Sequence, residues 1–266
     1  MSGTRAARDK IVVRDLSLTY VNEATASSHT VLDAFDLRVR EGEFLAVLGP
    51  SGCGKSTLLN LLAGLTSPTS GRISVDGEPV GAARNKLGFV FQGYALFPWR
   101  TVRKNVETGL EIRGVKRAQR RSEAERFLRL VGLLDFADHY PHQLSGGMRQ
   151  RVAIARVLAY GPEILLMDEP FGALDAQTRR ILQDELRRIW RRGTQTVLFV
   201  THDVEEAVAL GTRIVVMASR PGRIKEVLTR GFDIDDGDEF EANPAFAALK
   251  LHVWRSVKEE VDASRT

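Results

Sequence analysis

Apolar and polar residues alternate through KIVVRDLSLTY (residues 10–20), which predicts a half-buried strand. EGEFLAVLG (41–49) has the denser apolar pattern of a more buried one. Between them VNEATASSHT is polar and small, so it reads as a loop or a hairpin connection. GRISVDGEPV (71–80) contains Asp76-Gly77, a hairpin turn signal. EILLMD (163–168), TQTVLFVT (194–201) and RIVVMA (213–218) are short runs rich in Val, Ile and Leu, the pattern of parallel strands covered on both faces. Helical segments separate them. In TRRILQDELRRIW (178–190), Leu182, Leu186, Ile189 and Trp190 recur at helical spacing and Gly193 offers a stop, and VEEAVAL (204–210) follows the next strand. Strand and helix in alternation predict an α/β sheet with right-handed crossovers.

Residues 101–160 break that rhythm. Ala124, Phe127, Leu128 and Val131 share one helical face, and GGMRQRVAIARVLAY reads as a second helix, so a helical subdomain spanning about 95–160 is expected within the α/β core. The arginines between 117 and 129 read as a solvated face rather than a binding patch. After Thr229 the composition changes. DIDDGDE (233–239) reads as an acidic linker, and Asn243-Pro244 supplies an N-cap with proline in the first turn. Phe246, Leu249, Val253 and Val257 then make the apolar stripe of a tail helix expected to dock on the core.

Composition narrows the class only modestly. The 266 residues suffice for one large domain, or one domain with a small appendage, and the 43% hydrophobic and 27% charged residues are ordinary for a globular chain. A formal charge of +4 among abundant acids argues weakly for nucleic acid or anionic lipid. The single cysteine, Cys53, excludes an internal disulfide. The N-terminal segment lacks the apolar region of a signal peptide, and no apolar run approaches a membrane span.

The chemistry is carried by short motifs. GPSGCGKST (Gly49, Pro50, Ser51, Gly52, Cys53, Gly54, Lys55, Ser56, Thr57) matches G-x-x-x-x-G-K-[ST] between a strand and the apolar helix TLLNLLAG. Glycines there let backbone N–H groups wrap phosphates, while the helix N-terminus points its positive end at the same anion. Lys55 reaches the β and γ oxygens and the Ser56 hydroxyl takes a Mg²⁺ position. In ILLMDEP (164–170), Asp168 leaves a buried strand where open α/β sheets bind ligands and can hold Mg²⁺ through water; Glu169 beside it is placed to polarise the attacking water. His202 ends the strand VLFVT and faces the γ-phosphate, and Gln92 in FVFQGY follows a strand from which its amide reaches metal and water. Alone, either residue would be structural.

A second cradle lies at LSGGM (Leu144, Ser145, Gly146, Gly147, Met148), directly before a helix. It presents a hydroxyl and free N–H groups to an anion. If it sits on another lobe, its own chain's phosphate loop cannot use it, whereas two copies head to tail about a twofold axis each close SGG over the other's ATP. The alternative is a plain glycine-rich helix cap.

Together these residues resemble the nucleotide-binding subunit of ATP-binding cassette transporters over roughly residues 10–230. The resemblance implies a P-loop NTPase (RecA-like) α/β core with a mostly parallel sheet, an N-terminal antiparallel β portion and an inserted α-helical subdomain, followed by residues 231–266 as linker and tail helix. It implies ATP and Mg²⁺ as cofactors, Tyr20 as the aromatic stacked on adenine, and GALDA (172–176) crossing a homodimer interface with Asp175 at its tip. Met148 occupies a signature position more often held by glutamine. YALFPWRTVRKNV (94–106) is similar to the nitrate/sulfonate/taurine import branch, in which this region receives the membrane subunit. Phe97 and Trp99 are therefore expected to touch the permease, with core packing as the alternative for Trp99. The implied protein is an ATPase at the cytoplasmic face of the inner membrane, partnered by permease subunits and indirectly by an extracytoplasmic solute-binding protein. Two other readings are weighed. A soluble cassette ATPase acting on nucleic acid or ribosomes usually has two cassettes or long coiled-coil insertions, which this chain lacks. A P-loop kinase or GTPase would have no need of LSGG.

Overall fold

A computed structural model describes residues 8–22, 27–234 and 240–263. Two sheets share the work of positioning the loops. The first is antiparallel, in the order β2-β1-β4-β5: β1 (Asp9–Asn22) pairs with β2 (Ser27–Arg40) and β4 (Ser70–Val75), and β4 turns at Asp76-Gly77 into β5 (Glu78–Pro79). Asp76 and Gly77 both take positive φ (54° and 86°), as a tight primed hairpin turn requires. Of the polar stretch 21–30, residues 21–22 end β1 and residues 27–30 begin its antiparallel partner β2, while residues 23–26 lie outside the described residues. That partner was not legible as a strand, because VLDAFDLRVR mixes buried Leu32, Phe35, Leu37 and Val39 with a register irregularity at the positive-φ Ala34.

The second sheet has the order β10-β9-β3-β8-β7-β6. Here β3 (Phe44–Leu48), β6 (Leu87–Val90), β7 (Ile164–Asp168), β8 (Thr196–Val200) and β9 (Arg213–Ala218) run parallel, and only β10 (Arg223–Thr229) is antiparallel. Every residue of β3, β7 and β8 is buried, which is why their sequences read as continuous apolar runs. Alternate side chains feed two cores. One face packs α1 (Lys55–Leu62) and the antiparallel sheet; the other packs α5 (Ala176–Arg192), α6 (Val204–Leu210) and the helical insertion.

That insertion consists of α2 (Val102–Ile112), α3 (Arg117–Leu130) and α4 (Gly146–Tyr160). Thr101 caps α2 by accepting from the Lys104 N–H, and Ala124, Phe127 and Leu128 form the buried face of α3. Most arginines of α3 form a solvated face, with Arg121 pairing with Glu125 and Arg126 with Glu123, each at 2.9 Å, whereas Arg120 turns inward to Glu107 and Glu111 of α2. Gly193 ends α5 in extended backbone (φ −107°) rather than as a left-handed cap.

The tail helix α7 (Pro244–Ala263) is capped by Asn243, whose Oδ1 accepts from the Ala245 N–H at 2.9 Å. It docks through buried Phe246 and Val253, with Leu249 and Val257 packed beside them. Phe246 meets the rings of Phe240 (centroids 4.9 Å apart) and Phe232 (6.3 Å). Lys225 on β10 clamps the far end by donating to the Ser256 carbonyl and to Glu259. Of the acidic stretch 233–239, residues 235–239 lie outside the described residues.

Candidate nucleotide-binding site

Four parallel strands end along one edge of the sheet, and each delivers part of the site. After β3 comes the 49–57 loop, at the end of β7 Asp168 followed by Glu169, after β8 Thr201 and His202, and after β6 Gln92. The edge is where open α/β sheets bind ligands, because the helices that follow aim their N-termini there.

The loop is built around close approach. Gly54 caps α1 at φ +95°, and a Cβ there would meet Leu32 of β2 at 2.9 Å. At Gly49 a Cβ would meet the Cys53 sulfur at 2.8 Å and the Met217 carbonyl at 2.9 Å. Lys55, only 7% exposed, arches over the loop and donates to the carbonyls of Gly49 (2.8 Å) and Pro50 (2.9 Å). Cys53 is buried, and that burial pushes its thiol up despite the nearby Lys55 ammonium. Such a thiol is inert, so Cys53 serves as a small apolar filler. The tip of the β9–β10 turn braces the loop through Gly222, which exchanges hydrogen bonds with Val31 and Asp33 of β2.

Beside the loop, the Ser56 hydroxyl donates to Asp168 Oδ1 at 3.1 Å. Burial raises the Asp168 carboxyl; the charge of Glu169 adds to the rise and the Ser56 hydroxyl opposes it. A buried carboxylate beside a hydroxyl fits a hard divalent cation with oxygen ligands, and Mg²⁺ suits such a site because it keeps most of its waters and phosphate ligands. Among the described residues no group of three or more His, Cys, Asp or Glu is arranged to hold a metal ion by itself.

Glu169 takes a positive φ of 46°, and its N–H donates to Val200 of β8 at 3.0 Å. Its carboxylate is held from both sides. Gln92 Nε2 donates to one oxygen at 3.2 Å, and His202 Nδ1 lies 3.2 Å from the other. The glutamine and histidine named from sequence therefore converge on the glutamate rather than standing apart. Tyr20, on β1, stands 53% exposed.

LSGGM lies at the start of α4, in the helical insertion. Leu144 packs into the core on that face of the sheet, whereas Cys53 and Leu58 pack into the core on the opposite face. Ser145 is the N-cap of α4, its hydroxyl accepting from the Met148 N–H at 3.2 Å. Gly146 abuts the Tyr94 hydroxyl and Gly147 the Ala173 carbonyl, and side chains at either position would crowd these neighbours. Among the described residues, no hydrogen bond or ion pair joins 144–148 to 49–57. Asp175 caps α5 by accepting from the Thr178 N–H at 2.9 Å, and this bond holds its exposed carboxyl below the ordinary range.

Phe97 lines an apolar groove of about 590 Å³ together with Phe89, Phe91, Ile112, Val157 and Tyr160. Trp99 stands near its rim, 5.5 Å from the Phe97 ring and 72% exposed, so the core-packing alternative fails.

Sequence reading missed Gln150 and Glu206. Gln150, 2% exposed, donates to the Glu169 carbonyl and accepts from the Ala173 N–H, both at 3.0 Å. The available signal was a glutamine heading the apolar stripe Ala153, Ile154 and Val157 of α4. Glu206, buried on α6, accepts from Thr201 at 2.7 Å and from Gln183 at 3.2 Å; burial raises its carboxyl.

A parallel sheet with a phosphate loop, a strand-borne Asp-Glu pair and a helical insertion defines a P-loop nucleotide-binding cassette. The sequence profile described as ABC transporter matches residues 32–172. A nitrate import ATP-binding protein of Synechocystis sp. is 50% identical over 217 residues, covering 82% of this chain and 81% of the relative. A taurine import ATP-binding protein of Rhizobium johnstonii is 48% identical over 227 residues, covering 84% and 87%. A solved dimeric bacterial ABC transporter cassette superposes with a TM-score of 0.76 at 36% identity, covering 84% of this chain and all of that one. The same cassette in a post-hydrolysis state with ADP and phosphate gives a TM-score of 0.75. The chain belongs to the ABC transporter ATP-binding family and is an ATPase of that family.

Proposed function

We propose that this chain is the energy-supplying subunit of an importer, coupling ATP binding, head-to-tail dimer closure and hydrolysis to uptake of a small anionic or sulfonate-type solute through a separate membrane permease. The observation that carries the hydrolytic reading is the clamp of Gln92 and His202 on Glu169, next to the Ser56–Asp168 pair. The importer reading is supported by the relatives named for nitrate and taurine import.

Lys55 and the N–H groups of the 49–57 loop bind the phosphates, and Tyr20 stacks on the adenine, a contact of about 1–3 kcal/mol by analogy with base stacking. Ser56, Gln92 and Asp168 would hold Mg²⁺, which would supply positive charge against the nucleotide phosphates. Glu169 accepts hydrogen bonding from the attacking water and polarises it, while His202 contacts the γ-phosphate and keeps Glu169 aimed. Ser145, Gly146 and Gly147 of a second copy close over the nucleotide, and Asp175 lies at the crossing between copies. The Phe97 groove with Trp99 at its rim receives an element of the permease, an exposed tryptophan being a fitting anchor. No helix among the described residues is long and apolar enough to cross a membrane. The subunit works at the cytoplasmic face of the inner membrane, with an extracytoplasmic binding protein delivering solute and no nucleic acid involved.

The test is concentration dependence. If each site needs two chains, hydrolysis at low concentration rises with the square of protein concentration. Strict proportionality down to a demonstrated monomer excludes the shared site. Co-purification with an integral membrane protein separates the importer from a soluble cassette acting on nucleic acid.

A further inference from the structure

Gln150 has no stated part in the chemistry, yet its surroundings are costly for a polar group. It heads the buried face of α4 with Ala153, Ile154 and Val157 below it. An amide placed there is tolerated only when its hydrogen-bonding capacity is used. Both ends are used, and both on the same short segment. Nε2 donates to the Glu169 carbonyl and Oε1 accepts from the Ala173 N–H, each at 3.0 Å.

That segment is a tight turn, with the Gly172 N–H donating to Glu169 at 3.2 Å and the Leu174 N–H to Phe171 at 3.1 Å. Glu169 enters it at φ +46°, a left-handed conformation that a residue with a Cβ keeps only when its surroundings fix it from several sides. Its N–H is fixed by Val200 of β8 and its carbonyl by Gln150 of α4. The direction of the glutamate side chain, between Gln92 and His202, follows from that backbone.

We propose that Gln150 is a positioning residue for hydrolysis: it holds the peptide of Glu169 so that the carboxylate of the same chain points at the attacking water. The assignment rests on the water-polarising role proposed for Glu169. It also has a mechanical consequence. Gln150 lies five residues from Ser145, about 7.5 Å along the helix at 1.5 Å per residue. The cradle lent to the partner's nucleotide and the turn that aims a chain's own glutamate are therefore parts of one rigid helix contact.

Gln150→Met keeps length and volume while removing both hydrogen bonds, and Gln150→Glu keeps the acceptor for Ala173. Positioning predicts that Gln150→Met lowers kcat about tenfold to a hundredfold, the scale on which small misplacements act. The Kd for a fluorescent ATP analogue stays within about twofold. In a Glu169→Gln background the same substitution leaves the ATP-driven dimer intact by light scattering. Unchanged kcat, a Kd that weakens in step with kcat, or loss of the dimer would each overturn the proposal. Mixed dimers with two affinity tags sharpen the test, taking one Glu169→Gln chain per dimer as the reference. Gln150→Met in the chain that retains Glu169 lowers the remaining turnover, whereas in the Glu169→Gln chain it changes little. The reverse pattern, or equal loss in both arrangements, assigns Gln150 to the cradle or to general stability and rejects the positioning role. If Gln150→Met does not fold, Gln150→Glu takes its place in the same dimers. Full turnover by Glu169→Gln itself would instead remove the reading on which this inference stands, whatever Gln150 does.

Discussion

Replacing Glu169 by glutamine isolates charge from geometry at the centre of the site. The carboxylate accepts from Gln92 Nε2 on one oxygen, and His202 Nδ1 approaches the other, both at 3.2 Å. An amide in the same place keeps its oxygen toward Gln92 and turns its NH₂ toward His202, whose Nδ1 accepts in one neutral tautomer. Both contacts therefore survive. The backbone at φ +46° is equally strained for either residue, since both carry the same Cβ. Removing the charge also relieves Asp168, whose raised carboxyl is partly due to Glu169, so nucleotide binding should not weaken. What disappears is the charge proposed to polarise water, an expected loss of roughly 10²–10⁴ in kcat. At 1.36 kcal/mol per decade that is about 3–5 kcal/mol of transition-state stabilisation. The assay is phosphate release under saturating ATP, alongside titration of a fluorescent analogue and light scattering. The expected result is near-silent turnover, undiminished affinity and a persistent dimer. Turnover within about threefold of the parent would refute the reasoning, as would affinity falling in parallel with rate.

Ser145→Arg should abolish most hydrolysis while leaving nucleotide binding by the single chain near the parent value; equal loss of both indicates a folding defect instead. Phe246→Ala removes the ring that joins α7 to Phe240 and Phe232, and large-to-small truncation of a buried Phe costs about 3–5 kcal/mol, read as a lower denaturant midpoint. A destabilisation under about 1 kcal/mol would mean that α7 contributes little to global stability. For Asp76, burial alone would raise the carboxyl, but hydrogen bonds from Lys86 and Lys10 outweigh it and hold the group below its ordinary value. A depressed carboxyl stabilises above its unfolded pKa, about 3.9, and that contribution is lost as pH falls through the folded value. Asp76→Asn should therefore flatten the fall in urea midpoint between about pH 5 and pH 3; an identical pH slope rules the network out as its cause. Trp99→Ala should shift stability by no more than about 0.5 kcal/mol, as exposed positions do, and yet reduce recovery with the permease. Undiminished recovery would place the permease elsewhere.

The elements that sequence rendered well are those with strong local periodicity. β3, β7 and β8 are uniformly buried and read as apolar runs; α5 and α7 carry stripes at helical spacing that prove to be their packed faces. The phosphate loop was legible because its residue types are dictated by what touches them: Gly49 and Gly54 have no room for a Cβ. β2 was not legible, because its apolar positions are out of strict alternation where Ala34 breaks the register. Gln150 escaped because a glutamine early in a helix is ordinary until its two partners, 19 and 23 residues away, are known.

By itself the sequence determined the α/β rhythm, the two glycine-rich segments before α1 and α4 and the Asp168-Glu169 pair at the end of β7, since each depends on neighbours within a dozen residues. Tertiary structure alone decided that Gln92, 77 residues from Glu169, grips one carboxylate oxygen while His202 meets the other. It also decided that Trp99 faces solvent and that α4 anchors the glutamate's peptide. These outcomes follow from the order in which parallel strands assemble. That order is fixed by burial across the whole sheet, and no local window of residues contains it.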